Sequence, residues 1–321
     1  MRKTTAEILG NYQVRKTKKQ KSAFIEYVSA RIGEMGYPMR IEHGSLGVRN
    51  IVVGDLSRAR VVYTAHYDTA PRLPMPNFIT PKSLLIYLLY QLLLIAVIYG
   101  AAILVGSILS MVIGTAAVFA FPDIEVYPIV SAVMFGVVIG VCLLIMFGPA
   151  NKHTANDNTS GVTTLLAIMA ELPPELRDSV AFVFFDHEEI GLVGSKIFSK
   201  KHRAAMHGKL VVNFDCVSDG ENILLAVNRG AAGYANLLRE SFTPDAKYSV
   251  DVAMRGVFYP SDQACFVCGV GVASLKRGAG GILYMNRIHT SRDVIYNEEN
   301  IDFLVARSIA LAERLSETPS L

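Results

Sequence analysis

The chain has few cysteines and little excess charge. The net charge is +3 at pH 7, so the whole-chain signal of a nucleic-acid-binding protein is missing and no nucleic-acid partner is expected. Four cysteines occur, and Cys265 and Cys268 form a single C-x-x-C without a second pair. A zinc ribbon or a disulfide scaffold is therefore disfavoured, and a reducing compartment is expected. The first 30 residues have no apolar run, so we expect no cleavable signal peptide.

Basic residues are concentrated near the N-terminus. The first 21 positions contain Arg2, Lys3, Arg15, Lys16, Lys18, Lys19 and Lys21. Such a cluster usually forms a solvated helix face and less often contacts anionic lipid. We therefore expect residues 1–36 to form an amphipathic helix with its basic side chains in solvent.

The middle of the chain lacks charge. Residues 83–121 and 129–147 contain no Asp, Glu, Lys or Arg, which accounts for a mean hydropathy of +0.35, high for a soluble protein. About 20 such residues cross the hydrocarbon core of a bilayer as a helix. We expect residues 81–149 to be a hairpin of two transmembrane helices, the first near 84–106 and followed by a glycine-rich extension. The lipid bilayer is then a partner of the chain.

Outside this insertion, short apolar runs alternate with helical patterns. The segments "RARVVYTAHYD", "SVAFVFFDHEE" and "GKLVVNFDCVS" predict buried strands, and "NTSGVTTLLAIMAEL" predicts a helix. This alternation predicts an α/β fold with a mixed, mainly parallel central sheet flanked by helices. One domain would then be formed by residues 1–80 and 150–321, with the hairpin inserted between them. Ligands of such sheets bind beyond the carboxyl ends of the strands.

Acidic residues and histidines occupy those strand ends and two nearby loops. Taken singly, each has an ordinary structural explanation as a helix cap, a turn residue or part of a solvated loop. Together they supply the imidazole nitrogens and carboxylate oxygens that zinc binds, and a carboxylate can bridge two metals. The candidate set is His66, Asp68, Asp157, Glu188, Glu189, Asp215 and His289.

In their order along the chain, these motifs resemble those of the co-catalytic di-zinc aminopeptidases, family twenty-eight of the metallopeptidases. The matching segments are "AHYDT", "ANDNTSGV", "DHEEIGLVGS", "NFDCV", "YPSDQACF" and "HTSRDV". The resemblance implies a zinc-exopeptidase fold and an aminopeptidase that hydrolyses the N-terminal bond of a peptide or aminoacyl substrate. It also implies two zinc ions per chain.

The resemblance further implies how the metal ligands are shared. His66 and Asp215 would hold one zinc ion, whereas Glu189 and His289 would hold the other. Asp157 would bridge the two ions.

Other residues would act beside the metals. Glu188 would be the general base that takes a proton from water and passes it to the leaving amine. Asp68 would orient the imidazole of His66, and the resemblance also places an acid at Asp293. The segment "SDQ" replaces the family's Ser-Asp-His, which puts any substrate contact at Gln263 in doubt. By the same resemblance, Tyr259 and Phe266 are candidates for the pocket wall.

The insertion separates His66 from Asp157, which the resemblance assigns to the same metal. Both ends of the insertion must then lie on one side of the membrane, so the number of crossings is even. Lys82 and Lys152 flank the insertion, whereas the turn between its helices has acidic residues and no lysine or arginine. The positive-inside rule therefore predicts a multi-pass protein of the plasma membrane with its catalytic domain in the cytoplasm.

Three other functions fit part of the sequence. A single-zinc acyltransferase such as glutaminyl cyclase shares the fold but lacks the full ligand set, whereas both His66 and Asp215 are present here. A receptor or scaffold that kept the fold would have lost ligands, and none is missing. Two helices without an intramembrane charge make a poor transport pathway. The sequence does not indicate substrate side-chain preference or oligomeric state.

Overall fold

The computed structural model describes residues 1–317, and within these residues the chain forms a nine-stranded sheet. The strands are β1 (Met39–His43), β2 (Arg49–Val53), β3 (Val61–His66), β4 (Val180–Phe185), β5 (Leu210–Phe214), β6 (Asn222–Val227), β7 (Ser249–Ala253), β8 (Gly269–Arg277) and β9 (Leu283–Tyr284). Their order is β1-β2-β4-β3-β5-β8-β6-β7, and β9 pairs with β8.

The centre of the sheet is parallel and its flanks are mainly antiparallel. Strand β3 runs parallel to β4 and β5, and β5 runs parallel to β8. Strands β1 and β2 form an antiparallel pair beside β4, and β6 is antiparallel to β8. Every residue of β3, β4 and β5 is buried, as expected for strands covered on both faces. The predicted mixed α/β fold is confirmed, and the carboxyl ends of these three strands lie at one edge.

Helices cover both faces of this sheet. The α-helices are α1 (Lys3–Asn11), α2 (Lys18–Glu34), α3 (Leu84–Ala120), α4 (Val126–Phe147), α5 (Gly161–Glu171), α6 (Val193–Lys201), α7 (Ala235–Ser241) and α8 (Glu298–Glu317). Alternate strand residues point to opposite faces. Tyr63 and Phe182 pack with α2, α5 and α8, whereas Val62 and Val183 pack with Phe198 of α6.

The N-terminal segment differs from the sequence prediction in two respects. It forms two helices instead of one, because Thr17 caps α2 in a capping box with Gln20. Moreover, Arg15 and Lys21 are only 0% and 4% exposed. The expectation of a solvated basic face is therefore wrong for these two residues.

Both buried cations have acceptors that come from distant parts of the chain. Arg15 donates from its side chain to the carbonyl of Tyr67 and, at 3.1 Å, to Oγ1 of Thr159. Lys21 forms a buried ion pair with Asp186. The N-terminal segment is thereby attached to the chain just beyond the ends of β3 and β4.

The two apolar helices α3 and α4 pack against each other in antiparallel fashion. Helix α3 is continuous, so the prediction of a separate glycine-rich extension after residue 106 is wrong. A Cβ on Gly106 would come within 2.6 Å of Met134 Sδ, and one on Gly114 within 3.1 Å of Val126 Cγ1. The glycines therefore allow close approach of α4 and do not end the helix.

Both apolar helices are long and apolar enough to cross a membrane, judged by length and composition. Little of either is covered by protein, since the protein buries 17% of the most apolar window of α3 and 0% of that of α4. Pro71, ten residues before the insertion, and Ala150, directly after it, form an antiparallel bridge. The segments before and after the hairpin therefore lie side by side, which is the geometry that an even number of crossings requires.

Candidate metal centre

Five polar side chains converge beyond the carboxyl ends of the central strands. His66 is the last residue of β3, Asp215 follows β5 directly, and Glu189 lies in the loop after β4. Asp157 precedes α5, and His289 lies in the loop before α8. The structure thus brings together all five residues that the resemblance assigns to metal ions.

The five side chains form two groups of three, and Asp157 belongs to both. In the first group, His66 Nε2 lies 3.2 Å from Asp157 Oδ1 and 3.5 Å from Asp215 Oδ1. In the second, His289 Nε2 lies 2.8 Å from Asp157 Oδ2 and 3.3 Å from Glu189 Oε2. The donor atoms of each group lie within 4.8 Å of one another. Asp157 therefore directs one carboxylate oxygen to each group, as a bridging ligand must.

The electrostatics of the cluster fit divalent cations. Among the described residues, Glu189 Oε1 is buried without a hydrogen-bond partner. Burial works to raise the pKa of Asp157, but His289 and His66 outweigh it and hold the pKa below its usual range. Burial would lower the pKa of His66, yet Glu188 and the aspartates raise it well above normal. This negative potential, together with nitrogen and oxygen donors, suits zinc.

Two further carboxylates hold the loops that carry these ligands. Asp68 accepts hydrogen bonds from the backbone N–H groups of Glu188 and Glu189, at 3.0 and 3.3 Å. Its Oδ1 also lies 3.5 Å from Nδ1 of His66. Asp68 is therefore placed to orient both the imidazole and the acidic loop.

Asp293 holds the loop of Asp157 as Asp68 holds the acidic loop. Its carboxylate accepts hydrogen bonds from the backbone N–H groups of Asn156 and Asp157, at 2.8 and 3.0 Å. Burial, and next the charge of Asp157, raise the pKa of Asp293 to about 8. The acid four residues after His289 thus fixes the loop of Asp157, a contact that sequence spacing alone does not reveal.

Glu188 lies next to the same cluster. One of its carboxylate oxygens falls within 4.8 Å of donor atoms of His66 and Glu189. Burial is the largest influence on Glu188 and, with neighbouring carboxylates, raises its pKa well above normal. A carboxylate with a raised pKa is a better proton acceptor, which suits the predicted general base.

Gln263, which stands where the family has a histidine, has a structural role. Gln263 is 2% exposed and donates from Nε2 to the carbonyl of Tyr259 at 2.6 Å. Its Oε1 accepts from Asn213 Nδ2 at 3.3 Å. Phe266 packs against Phe185 in the core, with ring centroids 6.0 Å apart. Of the residues proposed for the pocket wall, Tyr259 lines the pocket and Phe266 does not.

The pocket above the cluster is small and its lining is partly apolar. Its volume is about 110 Å³. Besides the metal-ligand candidates and Glu188, it is lined by Ile79, Tyr87, Cys216, Tyr259, Pro260, Met285 and Ile288. Tyr87 belongs to the first turn of α3, so the apolar hairpin contributes directly to the site. No motif in the sequence marks Tyr87 as part of the site.

The chain belongs to peptidase family M28, whose sequence model matches residues 141–311. Membership of this family supports a hydrolase that acts as a metallopeptidase, with zinc as the metal that the family suggests. The family identification made from the motifs is therefore confirmed. No curated protein matches the chain in a sequence search.

Solved structures with the same fold include aminopeptidases and glutaminyl cyclases. The LapA aminopeptidase of Legionella pneumophila matches with a TM-score of 0.59 and 14% identity, over 98% of this chain and 69% of that one. A glutaminyl cyclase of Porphyromonas gingivalis matches with a TM-score of 0.59 and 15% identity, over 97% and 96%. A leucine aminopeptidase precursor of Bacteroides thetaiotaomicron matches with a TM-score of 0.57 and 14% identity, over 96% and 93%. At these identities the likeness shows the fold alone.

Proposed function

We propose that the chain is a membrane-anchored aminopeptidase with two zinc ions. The observation that carries the proposal is the pair of three-residue groups that share Asp157. His66 and Asp215 would hold one ion and Glu189 and His289 the other. A single-zinc glutaminyl cyclase-like enzyme would need only one of these groups, and a non-catalytic scaffold would need neither.

The protein side chains then carry the proton transfers. Bound zinc would supply Lewis-acid polarisation of the scissile carbonyl and a more acidic water. Glu188 accepts a proton as the water oxygen bonds to the carbonyl carbon. It returns that proton to the amine nitrogen as the carbon–nitrogen bond breaks, so one water is consumed per bond. Asp68 keeps His66 and the acidic loop in place throughout.

The hairpin would anchor this domain to the membrane. Helices α3 and α4 would cross it twice, and the domain made of residues 1–80 and 150–321 would lie on one side. Lys82 and Lys152 flank the insertion, which supports a cytoplasmic domain at the plasma membrane.

The neighbouring glutamates allow a matched test of the catalytic proposal. Glu188→Gln removes the base but keeps a side chain of the same shape, so turnover of aminoacyl amides should fall by roughly 10²–10⁴ with both zinc ions retained. Glu189→Gln should lose zinc from one group, because an amide oxygen is a weaker ligand than a carboxylate. Turnover and zinc content are measured on both variants, purified side by side in detergent.

The same measurements separate the alternatives. About two zinc ions per wild-type chain support the proposal, whereas one ion and turnover of N-terminal glutaminyl peptides would favour the cyclase. Metal loss in Glu188→Gln but not in Glu189→Gln would exchange the two roles. Unchanged turnover and zinc in both variants would refute the metallopeptidase proposal.

A further inference from the structure

The apolar hairpin contributes one residue to the pocket. Tyr87 of α3 lines the pocket, and its ring lies 5.6 Å from that of Phe258. Tyr90 lies one turn further along, and its ring is 5.5 Å from that of Phe78. Residues three apart share a helix face. The first turns of α3 are therefore held against the loops that form the pocket.

The other sides of the same turns are about half exposed or more, because no part of the described chain covers them fully. Leu84, Leu85, Leu88 and Leu89 are 49%, 70%, 48% and 57% exposed. Exposed apolar surface of this extent is typical of a membrane or protein contact. This exposed apolar surface begins at Leu84, the first residue of α3, three residues before Tyr87.

The length of α3 places this surface at the membrane boundary. Its 37 residues extend over roughly 55 Å at about 1.5 Å per residue, more than a whole bilayer of about 40–45 Å. Gly106 opposes Met134 and Gly114 opposes Val126, a register that leaves the first turns of α3 beyond the end of α4. The first turns of α3 therefore lie at the level of the lipid headgroups, and tyrosine is a residue typical of this interface.

We propose that the pocket works at the membrane surface, on polypeptides held in the bilayer by an apolar segment close behind their N-terminus. The proposal rests on the proposed aminopeptidase function and names its substrate class. Ile79, Met285 and Ile288 give the pocket an apolar lining beside the metal cluster. Because Tyr87 lines the same pocket as the cluster, an extended chain that gains about 3.6 Å per residue needs only a few residues to reach the cluster from the level of Tyr87.

The position of the pocket is tested with a spacer series in proteoliposomes that contain the full chain and zinc. All substrates share one N-terminal residue and one C-terminal apolar helix, and differ in a Gly-Ser spacer of about 4, 10 or 20 residues. Because every substrate is anchored, enrichment at the membrane is equal. The effective concentration of an end tethered near the site falls as the −3/2 power of spacer length, so about 4 residues should give roughly ten-fold higher kcat/KM than about 20.

The outcomes separate this inference from the proposed function. If rates rise with spacer length, the pocket lies away from the bilayer and the inference is wrong. Cleavage of a soluble peptide with the same N-terminus, together with no cleavage of the short-spacer substrate, would also refute it while leaving the aminopeptidase proposal intact. Failure to cleave any peptide with two zinc ions bound would refute the proposed function itself.

A second measurement needs neither zinc nor turnover. Photoreactive benzoylphenylalanine is placed at Tyr87 or, as the matched control, at Tyr90, and a short-spacer peptide with a reduced first bond is added to the proteoliposomes. We expect cross-linking to the peptide mainly from position 87, which lines the pocket. Equal labelling from both positions, or cross-linking to a second copy of the chain, would contradict the inference.

Discussion

The buried pair of Lys21 and Asp186 offers a stability prediction that can be worked from the structure. Lys21 lies in α2, and its side chain is 5% exposed, while Asp186 is fully buried at the start of the acidic loop. Asp186 also accepts hydrogen bonds from the backbone N–H groups of Arg49 and His187. Lys21→Met removes the cation and leaves this carboxylate with the two backbone donors and with Nδ1 of His187, 3.4 Å away.

The expected cost follows from the burial of both partners. Removing one partner of a buried pair destabilises a protein by about 3–5 kcal/mol. Unfolding entropy is about 2.1 cal/mol/K per residue, so the roughly 250 residues outside the hairpin give about 0.5 kcal/mol/K. We therefore expect Lys21→Met to lower the Tm by about 6–10 °C.

The assay is thermal unfolding of the detergent-purified chain at equal zinc content. Lys19→Met is the matched control, because Lys19 is exposed in the same helix and should shift the Tm by less than about 1 °C. The double substitution Lys21→Met/Asp186→Asn also removes the buried carboxylate charge, so more than half of the lost Tm should be recovered. Equal Tm values for Lys21→Met and Lys19→Met would show that the ion pair does not stabilise the domain.

Three further predictions concern the bridging carboxylate, the topology of the hairpin and the packing of the domain. Asp157→Ala should abolish turnover and lower zinc content in both groups, and full activity with two zinc ions would exclude a bridging role. A reporter near Asp123 should be accessible from outside the cell and one near Lys152 should not, so the opposite labelling would invert the topology. Gly161→Ala should destabilise the domain by more than about 3 kcal/mol, since the new Cβ would lie 2.3 Å from a backbone carbonyl oxygen of β5. Gly33 has no atom near its Cβ position, so Gly33→Ala should be neutral or stabilising by up to about 1 kcal/mol. Equal effects of the two glycine substitutions in thermal unfolding would contradict this reading of the packing.

The central part of the fold was predictable because its signal is local. Strands β3, β4 and β5 are short and mostly apolar, and each ends in a histidine or is followed directly by an acidic residue. Pattern alone therefore places them in a parallel sheet with a site at their ends. Strand β7 was not predicted, since its sequence SVDVA contains a charged residue and lacks a continuous apolar run. In the fold this strand is partly exposed. Its place depends on pairing with β6, which a local pattern does not encode.

The contacts that the sequence did not reveal join distant segments of the chain. Arg15 looks like any surface arginine until Thr159 and the carbonyl of Tyr67 are brought to it. Tyr87 looks like an ordinary residue of a membrane helix until the loops around Phe258 close beside it. In both cases the residue type is uninformative, and the contact exists only in the folded chain.

The order of strands in the sheet has a consequence for how the protein is made. Strand β3 lies between β4 and β5, and both of these neighbours follow the hairpin in the chain. When β3 leaves the ribosome, neither of its hydrogen-bonding partners has been synthesised. At about 5–20 residues per second, the roughly 120 residues up to the end of β4 take about 6–24 s. For that time the apolar residues 61–65 have no sheet to join, so the nascent chain depends on chaperone cover or on rapid hairpin insertion to avoid aggregation.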